Sequence, residues 1–315
     1  VTLLSLCSGT GALDLAVHAV TGTTTALYAE NDPWASRLMA ARFPGVPNLG
    51  GIDTVDWAAI ARDHDIRTVI AGWPCQGISN NGHRLGLDDP RSGLWRDVAA
   101  AIAAIRPDEV FLENVAALTR RGLDTVADHL AELGYDLHWT VTHASAVGAP
   151  MPRARFFGHA IPGRGITTHV PAPPALAKIS PLLPTPKASD GPNGGPNQRD
   201  GQGNYYLPGL AVRLDHQWRA PELGRDYAPA IRRWETILGR PAPAPTAPDA
   251  RGNQRLAPAF VEWAMGYPAG WVTDLTDMPR TEQIKRLGNG VVALQAETAY
   301  RALKAAACAV DLTAA

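Results

Sequence analysis

The chain has 315 residues, of which 45% are hydrophobic and 19% charged, with a mean hydropathy of −0.12, the make-up of a soluble globular protein with one large and one smaller domain. No run approaches about 18 uninterrupted apolar residues, which argues against a membrane span. A net charge of −1 argues against a purely electrostatic nucleic-acid coat, but leaves room for a protein that binds DNA in one local cleft.

Val1–Leu6 is too short for a signal-peptide core and has no basic segment before it, so a cytoplasmic protein without membrane contact is expected. The cysteines are Cys7, Cys75 and Cys308. Their odd count, wide separation and lack of a CxxC pair speak against a disulfide framework or a zinc site, and no metal is expected. The pairs Arg153/Arg155 and Arg232/Arg233 read first as solvated faces.

To about residue 160 short apolar runs alternate with helical stretches. The expected strands are Leu3–Cys7, Thr25–Ala29, Thr68–Ala71, Val110–Leu112, Leu137–Thr142 and Phe156–Ala160. Helices are expected around Leu13–Val20, Pro33–Arg42, Gly93–Ile105 and Leu123–Leu133. Such alternation predicts an α/β fold with a doubly wound, largely parallel sheet. Proline and glycine then crowd 162–208, and a second proline-rich stretch, 241–248, follows a helix at Tyr227–Leu238. Residues 161–250 are therefore expected to form a smaller loop-rich domain. Regular structure resumes at Phe260–Met265 and in a last helix, Val291–Val310, on which Cys308 is read as packing. Residues 251–315 are expected to return to the first domain.

The first strand runs into Ser8-Gly9-Thr10-Gly11-Ala12 and a helix. Two glycines there let the backbone approach a ligand and expose amides at the helix N-terminus. Glu30 ends the next strand about 20 residues on, where an acid can hold ribose hydroxyls; the alternative is a capping or surface carboxylate. The turn lacks the third glycine of the pyrophosphate fingerprint, which favours an adenosine ligand without phosphates, such as S-adenosyl-L-methionine.

Thr68–Ala71 ends in Gly72-Trp73-Pro74-Cys75-Gln76-Gly77, which places Cys75 beyond the carboxyl end of a strand, where open α/β sheets bind ligands. The long, polar, glycine-containing stretch 78–95 is expected to close over it. In Val110-Phe-Leu-Glu113-Asn114-Val115 a carboxylate directly after an apolar strand falls at the same edge; the alternative is a cap.

Pro74-Cys75-Gln76, Glu113-Asn114-Val115, Arg153-Ala-Arg155 and Gly288-Asn289-Gly290-Val291 occur in an order that resembles DNA cytosine-C5 methyltransferases, in a compact bacteriophage-type form. The resemblance covers about residues 1–160 and 251–310, and the gap matches the family's variable target-recognition region. It implies methyl transfer from S-adenosyl-L-methionine to C5 of a cytosine flipped out of double-stranded DNA. Cys75 would add to C6, Glu113 support N3, Asn114 hold the site in shape, and Arg155 contact O2 with Arg153 nearby. The cofactor set would be Cys7, Ser8, Gly9, Gly11, Glu30, Ile52, Asp53, Trp73, Pro74 and Asn289. Gln76 and Ser79 would meet DNA, and Lys187, Gln198 and Arg199 are candidate base readers in the loop-rich region. Arg255 and Glu262–Pro268 resemble the segment that joins this region back to the catalytic domain. The partner implied is duplex DNA, bound by a monomer.

This sequence departs from the family pattern at three places: Gly51 stands where an aspartate precedes the isoleucine, Met151 where a glutamine precedes the arginine pair, and Trp73 where a second glycine precedes Pro-Cys. An RNA cytosine-C5 methyltransferase and a catalytically silent DNA-binding relative are the competing readings; the long insert favours DNA over RNA, and the presence of both Cys75 and Glu113 favours activity.

Overall fold

The computed structural model describes residues 2–74 and 94–314. They form two compact units. Unit 1 comprises Val1–Thr142, Ala154–Pro173 and Ala296–Ala315; unit 2 comprises His143–Arg153 and Pro174–Gln295.

Unit 1 is built on strands β1 (Thr2–Leu6), β2 (Thr24–Ala29), β3 (Ile66–Ala71), β4 (Glu109–Val115), β5 (Tyr135–His143), β6 (Ala154–Pro162) and β7 (Thr167–His169). They form one sheet in the order β2-β1-β3-β4-β6-β5-β7. β1 runs parallel to β2 and β3, β3 runs parallel to β4, and β6 is antiparallel to β4. The sheet is thus mixed, with its parallel half at the β2 side. The central strands are near-continuous apolar runs because both faces are covered. Helices α3 (Trp57–Asp63), α4 (Leu94–Ile105), α5 (Leu118–Arg121) and α6 (Leu123–Glu132) belong to one face, where Leu4, Leu6, Val69, Leu112, Val98, Ile102 and Val126 share a core. α1 (Ala12–Thr21) lies on the other face: Ser5 and Thr25 hydroxyls donate to the buried Asp14 at 3.0 and 2.7 Å. α2 (Pro33–Arg42) starts where Oδ1 of Asp32 accepts from the amides of Trp34 and Ala35, with proline in the first turn.

Unit 2 holds the short helices α7 (Leu207–Ala211), α8 (Ala228–Leu238), α9 (Pro258–Ala264) and α10 (Arg280–Asn289), and the small strand pairs β8 (Arg219–Ala220) with β9 (Arg225–Asp226) and β10 (Thr246–Pro248) with β11 (Gln254–Leu256). Its core is aromatic: the indole of Trp234 donates to the Trp263 carbonyl at 3.0 Å, and Phe260 lies against Trp263 and Trp218. The carboxylate of buried Glu262 accepts from the amides of Gly270, Val272 and Thr273, which makes the Glu262–Pro268 stretch a structural anchor within this unit. The last helix, α11 (Ala293–Ala314), contributes Tyr300 to unit 1, where its ring lies 4.4 Å from that of Phe111.

The units divide at other points than 160/161 and 250/251. Residues 162–173, although rich in proline, carry β7, which pairs in parallel with β5. His143–Arg153 belongs to unit 2, to which it is tied by the amides of Leu176 and Leu183, which donate to the carbonyls of Ala146 and Pro150. The loop-rich reading of 161–250 missed α7 and the short strands, and α3 and α10 were also missed. Glu113 lies inside β4 and not after it, since pairing continues through Asn114↔Phe156 and Val115↔Arg155. Cys308 is exposed, so it does not serve packing. Arg233 is no solvated charge: Nε and Nη1 donate to the carbonyls of Gly148 and Ala177. Among the described residues no helix is long and apolar enough to cross a membrane.

Candidate active site

Leu6 pairs with both Ala29 and Ala71, and Ala71 pairs with Leu112, so the ends of β1, β2 and β3 lie in one row with Leu112 inside β4. Cys7, Glu30, Gly72 and Glu113 each stand one residue past that row. In-register parallel pairing alone therefore collects residues that are up to 106 positions apart.

The turn after β1 is held by Glu30. Its Oε2 accepts from the Gly9 amide and Oε1 from the Asp32 amide, each at 2.8 Å. The Ser8 hydroxyl donates to the Ser5 carbonyl. Cys7, Gly9 and Gly11 all have positive φ, at 53°, 58° and 73°. The two glycines serve different ends. A Cβ on Gly11 would stand 2.7 Å from Cε2 of Phe43, so packing excludes one. A Cβ on Gly9 would meet only the Cys7 carbonyl, at 3.9 Å, so the space above it is open. Burial, with Glu30 and Asp97 nearby, pushes the Cys7 thiol up to about 12. Cys7 is thus a protonated, unreactive thiol at neutral pH.

The Gly51–Asp53 turn is brought beside this site by Asn48, a residue the sequence reading overlooked. The Asn48 amide accepts from the Glu30 amide at 3.1 Å and donates to the Glu30 carbonyl at 3.0 Å. Ile52 is buried and Asp53 exposed. A Cβ on Gly51 would lie 2.6 Å from Oδ1 of Asp53. Asp97, in the first turn of α4, is a second overlooked residue; burial and the nearby Asp53 raise its carboxyl. An acid in the first turn of an expected helix was the signal available for it.

The opposite end of the row carries the acid–base pair. Nε of Arg155 lies 2.8 Å from Oε1 of Glu113, and both side chains are largely buried. A Cβ on Gly72 would lie 3.4 Å from Oε2 of Glu113, so the segment leading to Cys75 passes directly over this carboxylate. Asn114 fastens the two together: Nδ2 donates to the Trp73 carbonyl at 3.2 Å, and Oδ1 accepts from the Val115 amide at 2.8 Å. Trp73 is buried against Trp95, with ring centroids 5.0 Å apart. Cys75, Gln76 and Ser79 lie outside the described residues.

Arg153 and Asn289 belong to unit 2. Arg153 is 3% exposed, and its guanidinium donates to the carbonyls of Pro186, Gly288 and Gly290. It thereby clamps the backbone around Asn289 to the segment preceding Lys187. These bonds hold backbone within unit 2. Gly288 is required by close packing, since a Cβ there would run into the backbone of Lys187 and Ala188. Lys187 lies over the Tyr206 ring, 3.9 Å from its centroid. Arg199 is engaged internally, donating to the Gly203 carbonyl and the Tyr205 hydroxyl and lying over the Tyr205 ring, and Gln198 is half-buried.

Residues 1–182, well over half of the chain, match the model of the C-5 cytosine-specific DNA methylase family. The chain belongs to that family. It is 33% identical over 159 residues to the type II methyltransferase M1.ScrFI of Lactococcus lactis subsp. cremoris, a match covering 49% of this chain and 40% of that protein. It is 32% identical over 180 residues to M.MspI of Moraxella sp, covering 56% and 42%. The matched region thus spans about two-fifths of these relatives. Among solved structures, S. pombe Dnmt2 methyltransferase has a TM-score of 0.61 at 14% identity, covering 96% of this chain and 97% of that one. A putative DNA modification methyltransferase encoded within an E. coli prophage has a TM-score of 0.57 at 17% identity, covering 97% and 99%. These two likenesses show the α/β methyltransferase fold.

Membership of the C-5 cytosine methylase family brings S-adenosyl-L-methionine as cofactor. The residues present fit it. Open space lies over Gly9, and the carboxylates of Glu30, Asp53 and Asp97 suit a ligand that carries a sulfonium and an ammonium. The buried indole Nε1 of Trp73 has no partner among the described residues and is left as a donor.

Proposed function

We propose that this C-5 cytosine methylase transfers a methyl group to C5 of a cytosine flipped out of duplex DNA, with Cys75 as nucleophile. The observation that carries the reading is the Glu113–Arg155 pair at 2.8 Å, tied by Asn114 to the Trp73 carbonyl two residues before Cys75. A cytosine ring needs support at N3 and O2 on one side and a thiolate on the other. Attack of the Cys75 thiolate on C6 moves an electron pair to C5. Glu113 supports N3 and favours its protonation, and Arg155 meets O2, so the ring is spared the full negative charge. S-adenosyl-L-methionine, when bound, would supply an electrophilic methyl group for C5, and Gly9, Glu30, Ile52, Asp53, Trp73 and Pro74 are the residues that would hold it. Loss of the C5 proton to water then lets the thiolate leave. C5 and C6 are shielded by stacking within a duplex, which is why the base must leave the helix first.

Gln76 and Ser79, which follow the nucleophile, are assigned to DNA contact, and residues 161–250 to target recognition. The test is a duplex carrying 5-fluorocytosine in a methylatable site. Wild type should form a covalent adduct stable to denaturant, because fluorine cannot depart as a proton does. Cys75→Ala should form none and should methylate nothing, while still binding the cofactor. Methyl transfer to tRNA in place of duplex DNA would reverse the substrate assignment. Adduct formation by the alanine variant would remove Cys75 from its role.

A further inference from the structure

Ser5 of β1 and Asp14 of α1 flank the turn that carries Cys7, Gly9 and Gly11, and they close its neck. The Ser5 hydroxyl donates to Oδ2 of Asp14 at 3.0 Å. The other carboxylate oxygen, Oδ1, accepts from the Thr25 hydroxyl at 2.7 Å, and Thr25 lies in β2, the strand that leads to Glu30. Within the neck the Ser8 hydroxyl donates to the Ser5 carbonyl. One carboxylate thus joins the three elements that converge on the cofactor, and Ser5, Asp14 and Thr25 are all buried. Methyl transfer itself gives Asp14 no part.

The hydrogen bonds continue outward. The Thr25 hydroxyl has one proton, which it gives to Asp14, so it accepts from Nε2 of His18 at 2.9 Å. Burial lowers the His18 ring below its usual value, so the ring is neutral at pH 7 and carries its proton on Nε2. His18 is half-buried, and its ring meets that of Phe43 at 83° with centroids 5.9 Å apart. Phe43 is the side chain that excludes a Cβ from Gly11. His18, Thr25 and Asp14 therefore form a hydrogen-bonded path from a half-buried ring to the buried carboxylate beneath the cofactor turn.

Burial pushes the Asp14 carboxyl up to about 6, against the two hydroxyls that favour its ionised form. Among the described residues the side chains that face it, Ser5, Thr25 and His18, are uncharged at pH 7. On β3 the polar side chain of this face, Thr68, donates to Glu109. α11 meets the far end of α1, where Arg301 donates to the Ala19 carbonyl and pairs with Glu297. Asp14 stands in the first turn of α1, where its negative charge offsets the positive end of the helix dipole. A ligand that carries a sulfonium and an ammonium therefore favours the ionised form. Protonation also turns one of the two accepting oxygens into a donor, so that one hydroxyl must reverse or let go.

We infer that Asp14 is a positioning residue that couples cofactor binding to a proton: ionised, it holds the neck of the turn and favours S-adenosyl-L-methionine; protonated, it loosens the turn and weakens binding. A solvent proton taken at Nδ1 of His18 lets Nε2 pass its proton to Thr25, whose own proton passes to Oδ1 of Asp14. Binding that prefers the ionised form is complete above about 6 and fades as pH falls through that value. The test is calorimetric titration of the full chain with S-adenosyl-L-methionine from pH 8 to pH 5, without DNA, so that the result does not depend on the Cys75 reaction. Asp14→Asn keeps the size of the side chain but not its charge. Glu30, Asp53 and Asp97 are present in both proteins, so the ratio of wild-type to variant affinity isolates Asp14. That ratio should be roughly tenfold at pH 8, as for loss of a hydrogen bond to a charged group, and approach one at pH 5. Thr25→Val removes one hydroxyl that favours the carboxylate and should move the midpoint of the wild-type pH profile upward, while Thr25→Ser leaves it in place. If the asparagine variant does not fold, the Thr25→Val shift decides alone. A ratio that stays constant across the range reduces Asp14 to a structural part and overturns the coupling. Wild-type affinity unchanged between pH 8 and pH 5, or a midpoint that Thr25→Val does not move, overturns it as well.

Discussion

Gly51 and Asp53 compete for one space: a Cβ on Gly51 would stand 2.6 Å from the Oδ1 of Asp53. The family pattern has aspartate at the first of these positions, and we propose that Asp53 takes over its contact with the cofactor. Asp53→Ala should therefore weaken S-adenosyl-L-methionine binding roughly ten- to hundredfold, the loss typical for a hydrogen bond to a charged group. Gly51→Asp alone should also weaken it, by crowding Asp53. The double exchange Gly51→Asp with Asp53→Gly should recover most of the affinity. Isothermal titration of the three variants checks this; a double variant as poor as the two singles would mean that Asp53 has not taken over the position.

Glu113 and Arg155 form the pair on which the chemistry is proposed to depend. Glu113→Gln keeps the size of the side chain but not its charge or its proton. Turnover on duplex DNA should fall on the order of 10²–10³-fold, with cofactor affinity nearly unchanged. Single-turnover kinetics beside a binding titration distinguishes this from a folding defect. An unchanged rate would take Glu113 out of the reaction.

The two glycines of the first turn should fail in different ways. Gly11→Ala forces a methyl group against Phe43 and Met39 at a positive φ. It should lower stability by about 1–3 kcal/mol through overpacking. Gly9→Ala projects into open space and should cost mainly the backbone conformation, about 1–2 kcal/mol, yet it should lower cofactor affinity more than Gly11→Ala does. Thermal melts read the first effect and titration the second.

Glu109 supplies a pH dependence. Burial raises its carboxyl, but hydrogen bonds from His159 and Lys304, and the Lys304 charge, outweigh burial and bring it to about 2. Lys304 of α11 lies 2.6 Å from Oε2 of Glu109, so this pair fastens the last helix to the sheet. An acid depressed on folding stabilises fully above its unfolded value, near 4.5, and loses that contribution as pH falls from there towards 2. Glu109→Gln should lower stability at pH 7 by about 3 kcal/mol and flatten the fall below pH 4.5. Urea unfolding at pH 7, 4 and 3 would show it; parallel curves for wild type and variant would contradict the assignment.

Much of unit 1 was legible in the chain because its determinants are local. The apolar runs of β1, β3 and β4, the Asp32-Pro33 start of α2 and the glycine turn before α1 depend on neighbours in sequence, and helix α2 was expected to the residue. Short elements such as α3 and β7 carry too few periodic positions to stand out from the surrounding loops. The meaning of particular side chains was a different matter. Gly9 and Gly11 look alike as letters, and only Phe43, 32 residues beyond Gly11, decides that one is a packing necessity while the other faces open space. Arg153 and Arg155 sit two apart, yet Arg153, with φ at 30°, turns its guanidinium to three carbonyls in unit 2 while Arg155 pairs with Glu113 in unit 1. The order of motifs along the chain determined the family and the placing of Glu113 at the ligand-binding edge of the sheet. Which arginine meets that carboxylate was decided by the tertiary structure, because Arg155 finds Glu113 42 residues away while Arg153 finds Gly288 135 residues away, and only their final positions settle the choice.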